Sequence, residues 1–310
     1  MVRNVLGMST SWNAAGRGDG RAIVEEITGL GFTALEVEYR VSEDAIPGIT
    51  EVVQEGRVEV LSVHNYAPLP RGEKSSNWGG DKLSLAAPDE AERKEAVRLT
   101  GGTIELARRL NAQAVILHVG DVNVGRKYFQ ELSEMARAEG SRSADAARLR
   151  EDIKGRRSAL RPRYLEATVR SLKDVLGSLG DSGIKICLEN RYYYHQIPLP
   201  DEVVTLREEL TSPDLCYWHD TGHAHVQEAL GFGSHAVSLG LLSRHLFGMH
   251  VHDAVFVDDH QAPGGGEVDF AGLLAMVPAS ALKVMELASS VKKQDVVSGA
   301  RYLETLGVYR

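Results

Sequence analysis

The sequence predicts an α/β protein built as one eight-stranded (β/α)8 barrel, with a helical insertion after strand 4. Three observations carry this expectation. Eight short apolar runs alternate with longer amphipathic stretches, and most of the runs are bounded by Gly, Asn or Pro. Six consecutive runs end in a histidine or a carboxylate, as strands converging on one mouth would.

Asn4–Ser9 is the first apolar run and reads as strand one; it is too short for the core of a signal peptide. Gly20–Leu30 places apolar residues at helical spacing. Ala34–Glu38 is strand two, Ser42–Glu55 its helix and Val58–Val63 strand three. Arg71–Asp81, rich in Gly and Ser, is a long loop on the strand-end face. Pro88–Leu110 starts a helix with Pro and acids in its first turn, and Ala114–His118 is strand four. The segment Arg126–Arg161, dense in Arg, Glu and Ala, breaks the alternation. It reads as a solvated helical excursion; the alternatives are a lid over the mouth or an oligomer contact. Regular alternation resumes with Arg163–Leu179, then strand Lys185–Leu188 and helix Pro200–Leu210. Strand Leu215–His219 precedes helix His223–Leu230, and strand Phe247–His252 precedes helix Asp269–Met276. Strand Leu282–Glu286 and helix Val291–Leu306 complete eight units, so the count favours a closed TIM barrel over a doubly wound sheet. With no internal repeat or linker in view, residues 1–310 read as one domain. No Gly-x-Gly-x-x-Gly follows strand one, which removes the usual dinucleotide reading.

Composition narrows the partners. Hydrophobic residues make up 43% and charged residues 25%, ordinary for a globular protein with a sizeable core. No apolar run approaches the roughly 20 residues needed to cross a bilayer, so no membrane partner is expected. The two cysteines, Cys187 and Cys216, lie in apolar runs and read as small buried hydrophobes of a reducing, cytoplasmic protein. A net charge of −8 without a Lys/Arg-rich block argues weakly against a nucleic-acid partner.

The chemistry sits at the strand ends. His64, His118, Glu189, Asp220 with His223, His250 with His252, and Glu286 close successive strands, and Asp258 and His260 follow in the loop after strand seven. Singly, each has a bland explanation, such as a capping Asp or a hydrogen-bonded loop histidine. Jointly, they point to a divalent metal site of mixed imidazole and carboxylate character. With no thiolate in it, the set suits Zn²⁺, Mn²⁺ or Co²⁺ and disfavours a structural zinc cage. His250 and His252 share one strand face, so one of them could act behind the other. The set exceeds what one ion needs, and the surplus fits either a multinuclear cluster or a polar pocket for sugar hydroxyls. Glu36 and Glu38 read as structural partners in the barrel interior, and His225, His235 and His245 as solvated.

The motifs Asp220-Thr-Gly-His223-Ala, His250-Val-His-Asp and Asp258-Asp-His260-Gln-Ala-Pro-Gly-Gly-Gly-Glu-Val-Asp-Phe give the chain a resemblance to the xylose-isomerase-like TIM barrel superfamily. It includes sugar isomerases and epimerases, inosose dehydratase and endonuclease IV. The resemblance covers nearly the whole chain and is weakest over Arg126–Arg161. In its epimerase-type members one metal is held at positions matching Glu189, Asp220, His250 and Glu286. There the two glutamates also shuttle a proton next to a carbonyl, and the position of His223 contacts substrate. Endonuclease IV implies three zinc ions held at nine positions, matched here by His64, His118, Glu189, Asp220, His223, His250, Asp258, His260 and Glu286. Its DNA-penetrating loops are not recognisable in this chain.

The expectation is therefore a metal-dependent sugar or sugar-phosphate isomerase or epimerase holding one to three Zn²⁺ or Mn²⁺ ions. Its catalytic residues would be Glu189, Glu286 and His223. Arg191 and His252 would bind substrate oxygens, and Trp12 and Tyr66 would stack on a sugar ring. Its partner would be a small sugar or polyol, with a homo-oligomer left open. The alternatives are an abasic-site phosphodiesterase using the nine ligands and a lyase that dehydrates a keto-cyclitol.

Overall fold

The eight expected strands close into one parallel barrel in the computed structural model, which describes residues 5–309; Asn4 of the first expected strand lies outside them. The strands are β1 (Leu6–Ser9), β2 (Ala34–Val37), β3 (Glu59–His64), β4 (Ala114–Leu117), β5 (Lys185–Glu189), β6 (Leu215–Asp220), β7 (Leu246–Val251) and β8 (Leu282–Met285), and helices α1 (Gly20–Thr28), α2 (Ile46–Gln54) and α3 (Glu90–Arg109) follow the first three. Each pairs in parallel with its sequence neighbours, and β8 closes onto β1. Small and branched residues fill the interior: Ala34, Leu61, Ala114, Ile116, Cys187 and Val284 pack around Trp218. At Gly248 an added Cβ would come within 2.0 Å of the Trp218 ring, so only glycine admits the indole there.

Side chains along a strand face the same side every second residue. One step beyond the interior residues Ala34, Ile116, Cys187, Trp218, Gly248 and Val284 come Glu36, His118, Glu189, Asp220, His250 and Glu286. The packing of the barrel thus hands its polar residues to the mouth. Both cysteines are free; Cys187 is buried and Cys216 half-buried.

The insertion differs from the solvated excursion expected of its charge. It supplies helix α4 (Lys127–Glu139) and the first half of α5 (Ala144–Gly177), a single 34-residue helix that runs through Pro162 into the barrel helix. At 1.5 Å per residue α5 is about 50 Å long. Leu132, Ala136, Ala146 and Ile153 form a satellite core with Val226 of helix α7 (Thr221–Ala229) and its C-cap Leu230. Phe256 and Val257 of the loop after β7 pack against it. Arg157, 2% exposed, joins α5 to Glu202 of α6 (Pro200–Leu210) by two bonds of 2.6 and 2.8 Å and donates to Gln196 O at 2.9 Å. Among the described residues no helix is long and apolar enough to cross a membrane.

Candidate metal centre

Four buried residues meet at the mouth. Ligand atoms of Glu189, Asp220, His250 and Glu286 all lie within 4.8 Å of one another. Nδ1 of His250 stands among the carboxylates, 3.0 Å from Glu189 Oε1, 3.1 Å from Glu286 Oε2 and 3.5 Å from Asp220 Oδ2. Its other nitrogen, Nε2, is 2.9 Å from Glu36 Oε2, which also accepts from Ser62 Oγ at 2.7 Å. Glu36 therefore orients the ring from inside the barrel, the structural role expected of it.

Burial opposes charge on these carboxylates, but their neighbours reverse the outcome. His118 and His250 hold Glu189 well below the usual carboxylate range. His223 and His252 do the same for Asp220, and His250 with His260 brings Glu286 to about 2. Burial likewise disfavours protonated His250, yet Glu286, Glu36 and Glu189 push it well above its ordinary value. Three buried anions this close favour a shared positive charge, which the His250 imidazolium supplies here.

Around this group the backbone fixes ring tautomers. Asp220 caps α7, accepting from His223 N at 2.7 Å through Oδ1. His223 Nδ1 donates to Asn190 O at 3.0 Å, leaving Nε2 free toward Asp259, 3.7 Å away. Asn190 clamps two strand ends, accepting from Asp220 N at 2.7 Å and donating to Asp220 O at 2.9 Å. His252 Nδ1 accepts from His260 N at 2.9 Å, so its Nε2–H donates to Asp220 Oδ2 at 2.9 Å. Gly222 permits this arrangement, since a Cβ there would fall 2.1 Å from His252 Cε1.

Three further ligand groups flank the four. His64, His118 and Glu189 form one, with His118 Nε2 at 2.9 Å and His64 Nε2 at 3.4 Å from Glu189 Oε2. His223, Asp259 and His260 form the second, and His252, His260 and Glu286 the third.

Several expected residues stand elsewhere. Asp258 is exposed, 3.9 Å from Arg137, and its place is taken by Asp259. The reason is local: His260 adopts a left-handed φ of 55°, which breaks the two-residue alternation that would pair Asp258 with His260. Trp12 is packed in the core and donates to Val291 O at 2.8 Å. Tyr66, 1% exposed, donates to Leu83 O at 2.8 Å, so neither aromatic offers a face to the mouth. His252 stays at the mouth, bonded to Asp220 and grouped with His260 and Glu286. Arg191 is buried between Glu189 (3.5 Å) and Asp81 (3.2 Å). His225 and His235 are not solvated: the first meets Glu267 at 3.2 Å, the second His219 at 3.1 Å.

Sequence reasoning missed Asp81. It lies 3.3 Å from His118 Nδ1 and accepts from Gln196 Nε2 at 3.2 Å; burial would raise its pKa, but Arg191 and His118 hold it far below the usual range. The signal was the pair of glycines before it: a Cβ on Gly80 would lie 2.5 Å from His118 Nδ1. Asp253, a possible ligand by type, is instead spent on backbone N–H groups of Ala254, Gly264, Gly266 and Val268 at 2.9–3.0 Å, shaping the Pro-Gly-Gly-Gly turn.

The donor set fits a divalent ion. It offers carboxylate oxygens and one imidazole nitrogen, the chemistry that Zn²⁺ and Mn²⁺ take, gathered around shared negative charge. Among solved structures, a D-tagatose 3-epimerase-like protein is 20% identical over 97% of this chain and 96% of its own, with a TM-score of 0.69. The apo 3-keto-D-glucoside 4-epimerase of E. coli is 15% identical over 97% and 98%, with a TM-score of 0.68. An IolI protein with a zinc atom is 12% identical over 99% of both chains, with a TM-score of 0.66. These likenesses establish the barrel. Among curated protein sequences none matches. The profile of the xylose isomerase-like TIM barrel matches residues 24–303, and with the closed barrel this places the chain in that family.

Proposed function

We propose that this protein is a divalent-metal-dependent sugar or sugar-phosphate isomerase or epimerase that moves a proton at the carbon next to a carbonyl. The observation that carries the reading is the Glu189–Glu286 pair, on β5 and at the end of β8, sharing one ligand group with Asp220 and His250. The epimerase neighbours support a sugar as substrate. Glu189, Asp220, His250 and Glu286 would hold the ion; when bound, Zn²⁺ or Mn²⁺ supplies Lewis acidity that lowers the cost of an enediolate. One glutamate takes the carbon-bound proton and the other returns it from the opposite wall. His223, its Nδ1 committed to Asn190, offers Nε2 to a substrate oxygen.

Deuterium uptake from heavy water into a ketose tests this. Metal-loaded protein is expected to exchange, and Glu189→Gln or Glu286→Gln to lose about 10²–10⁴-fold in rate. No exchange across a broad ketose panel, by protein shown to hold metal, would sink the reading.

A second reading, phosphodiester hydrolysis at abasic DNA, is favoured by one observation: the three flanking ligand groups beside the central four. Incision of an abasic duplex by zinc-loaded protein, lost in Glu286→Gln, would make it the better account.

A further inference from the structure

Two polar side chains stand in an otherwise apolar layer of the barrel wall. On β6, Trp218 and Asp220 face inward, so Tyr217 and His219 face the helices. The neighbouring strands fill the matching positions with Ile186, Leu188, Met249 and Val251, all in the apolar core. Tyr217 and His219 are both 0% exposed, so their polar atoms have to be satisfied from within. They are satisfied by a relay that starts at the mouth. Tyr217 Oη donates to Asn190 Oδ1 at 3.0 Å and lies 2.8 Å from His219 Nδ1. His219 Nε2 in turn lies 3.1 Å from Nδ1 of His235, the first residue of α8 (His235–Leu242).

Asn190 sets the direction of the relay. Its amide nitrogen donates to Asp220 O and its amide oxygen accepts from Asp220 N, so flipping the group would turn both bonds into repulsions. The oxygen therefore takes the single proton of Tyr217, and His219 Nδ1 must donate to Tyr217. Among the described residues no carboxylate bonds the His219 ring, and burial keeps it neutral. Its Nε2 then accepts from His235 Nδ1, and the relay ends on the lone pair of His235 Nε2, which has no partner among the described residues. Both ring tautomers are thus dictated from the mouth outward.

We propose that Tyr217 and His219 are positioning residues of the metal centre, which through Asn190 hold the Asp220 main chain and the His223 ring in place. Asn190 is where the relay reaches the chemistry. Its side chain brackets the N–H and the carbonyl of Asp220, and its own carbonyl receives His223 Nδ1–H at 3.0 Å. A displaced Asn190 moves a metal ligand and the free Nε2 of His223 together. The inference rests on the reading of Asp220 as a ligand and of His223 as a substrate contact.

The test has two readouts on the full chain: ring tautomers from nitrogen NMR of histidine-labelled, metal-free protein, and Zn²⁺ affinity from chelator competition. His219 and His235 are expected to carry their protons on Nδ1. Tyr217→Phe, which removes one oxygen and keeps the ring, is expected to weaken Zn²⁺ binding about tenfold and to shift the His223 signal. His219→Leu is expected to lose as much, and the double variant no more than either, because both cut one relay. His219→Asn, whose amide nitrogen can stand in for Nδ1–H, is expected to recover most of the loss. Should His219→Leu misfold, Tyr217→Phe and the tautomers of the parent still decide. A proton on Nε2 of His219 would overturn the proposal, as would parental affinity in folded Tyr217→Phe, additive losses in the double variant, or no recovery in His219→Asn. A parent that binds no Zn²⁺ would sink the metal reading instead; a His223 signal unmoved by Tyr217→Phe would then overturn the relay as well.

Discussion

On the ring of His250 two carboxylate environments meet: Glu189, Asp220 and Glu286 around Nδ1, and Glu36 at Nε2. Glu36 fixes which nitrogen keeps its proton once Nδ1 is given to a metal, as buried carboxylates behind ligating histidines do. Glu36→Gln is expected to weaken Zn²⁺ or Mn²⁺ binding about 10–100-fold while the protein stays folded, measured by chelator competition. Unchanged affinity would remove Glu36 from the site. Most of the residues gathered at the mouth were legible because two-residue alternation sends them inward from runs whose other positions are apolar. Asp259 was not, because its place depends on the left-handed backbone of His260, a turn that residue type alone does not announce. Trp12 and Tyr66 were misread because a ring near a strand end carries no mark of which way it faces. Asp81 was missed because it comes from a loop with no periodicity to orient it.

Among the elements, the insertion taught most. Its charge density suggested a solvated face separate from the helix expected at Arg163–Leu179, and Pro162, between the two, removes a backbone bond inside a helix. The break is absent because tertiary contacts along α5 outweigh one missing bond, notably the buried Arg157–Glu202 pair. The few apolar residues of the segment were enough for a satellite core. Leu132→Ala, which truncates a fully buried member of it, is expected to cost about 2–5 kcal/mol in urea unfolding, with Ile153→Ala similar. A cost near zero in both would mean that the insertion rides on the barrel without supporting it. The barrel strands themselves were legible to within a residue or two, because eight apolar runs in order leave few other topologies.

For the molecule as a whole, acid is expected to act through neutral buried histidines as well as carboxylates. Burial, with Arg126 and Arg157 beside it, lowers His195 to about 4; burial and His225 lower His235 to about 4. The unfolded chain takes up these protons near pH 6.5 while the folded chain refuses them. Their stabilisation is therefore complete above pH 6.5 and drains away as pH falls toward 4. The melting temperature should decline across that window, and His195→Gln should flatten the decline; an equal slope in the variant would assign the acid sensitivity elsewhere.

The long helix has a mechanical consequence. The middle of α5 is bolted to α6 by Arg157, and its C-terminal end is tied back by Ser171 to Leu85 O at 2.6 Å and by Asp174 to Arg93 at 2.8 Å. A roof beam continuous with a wall post has no hinge, so this side of the mouth behaves as fixed masonry. The loop in which Gly79 and Gly80 carry the chain over Tyr39 and His118 is latched to that same beam, since Asp81 accepts from Gln196, whose carbonyl takes the Arg157 guanidinium.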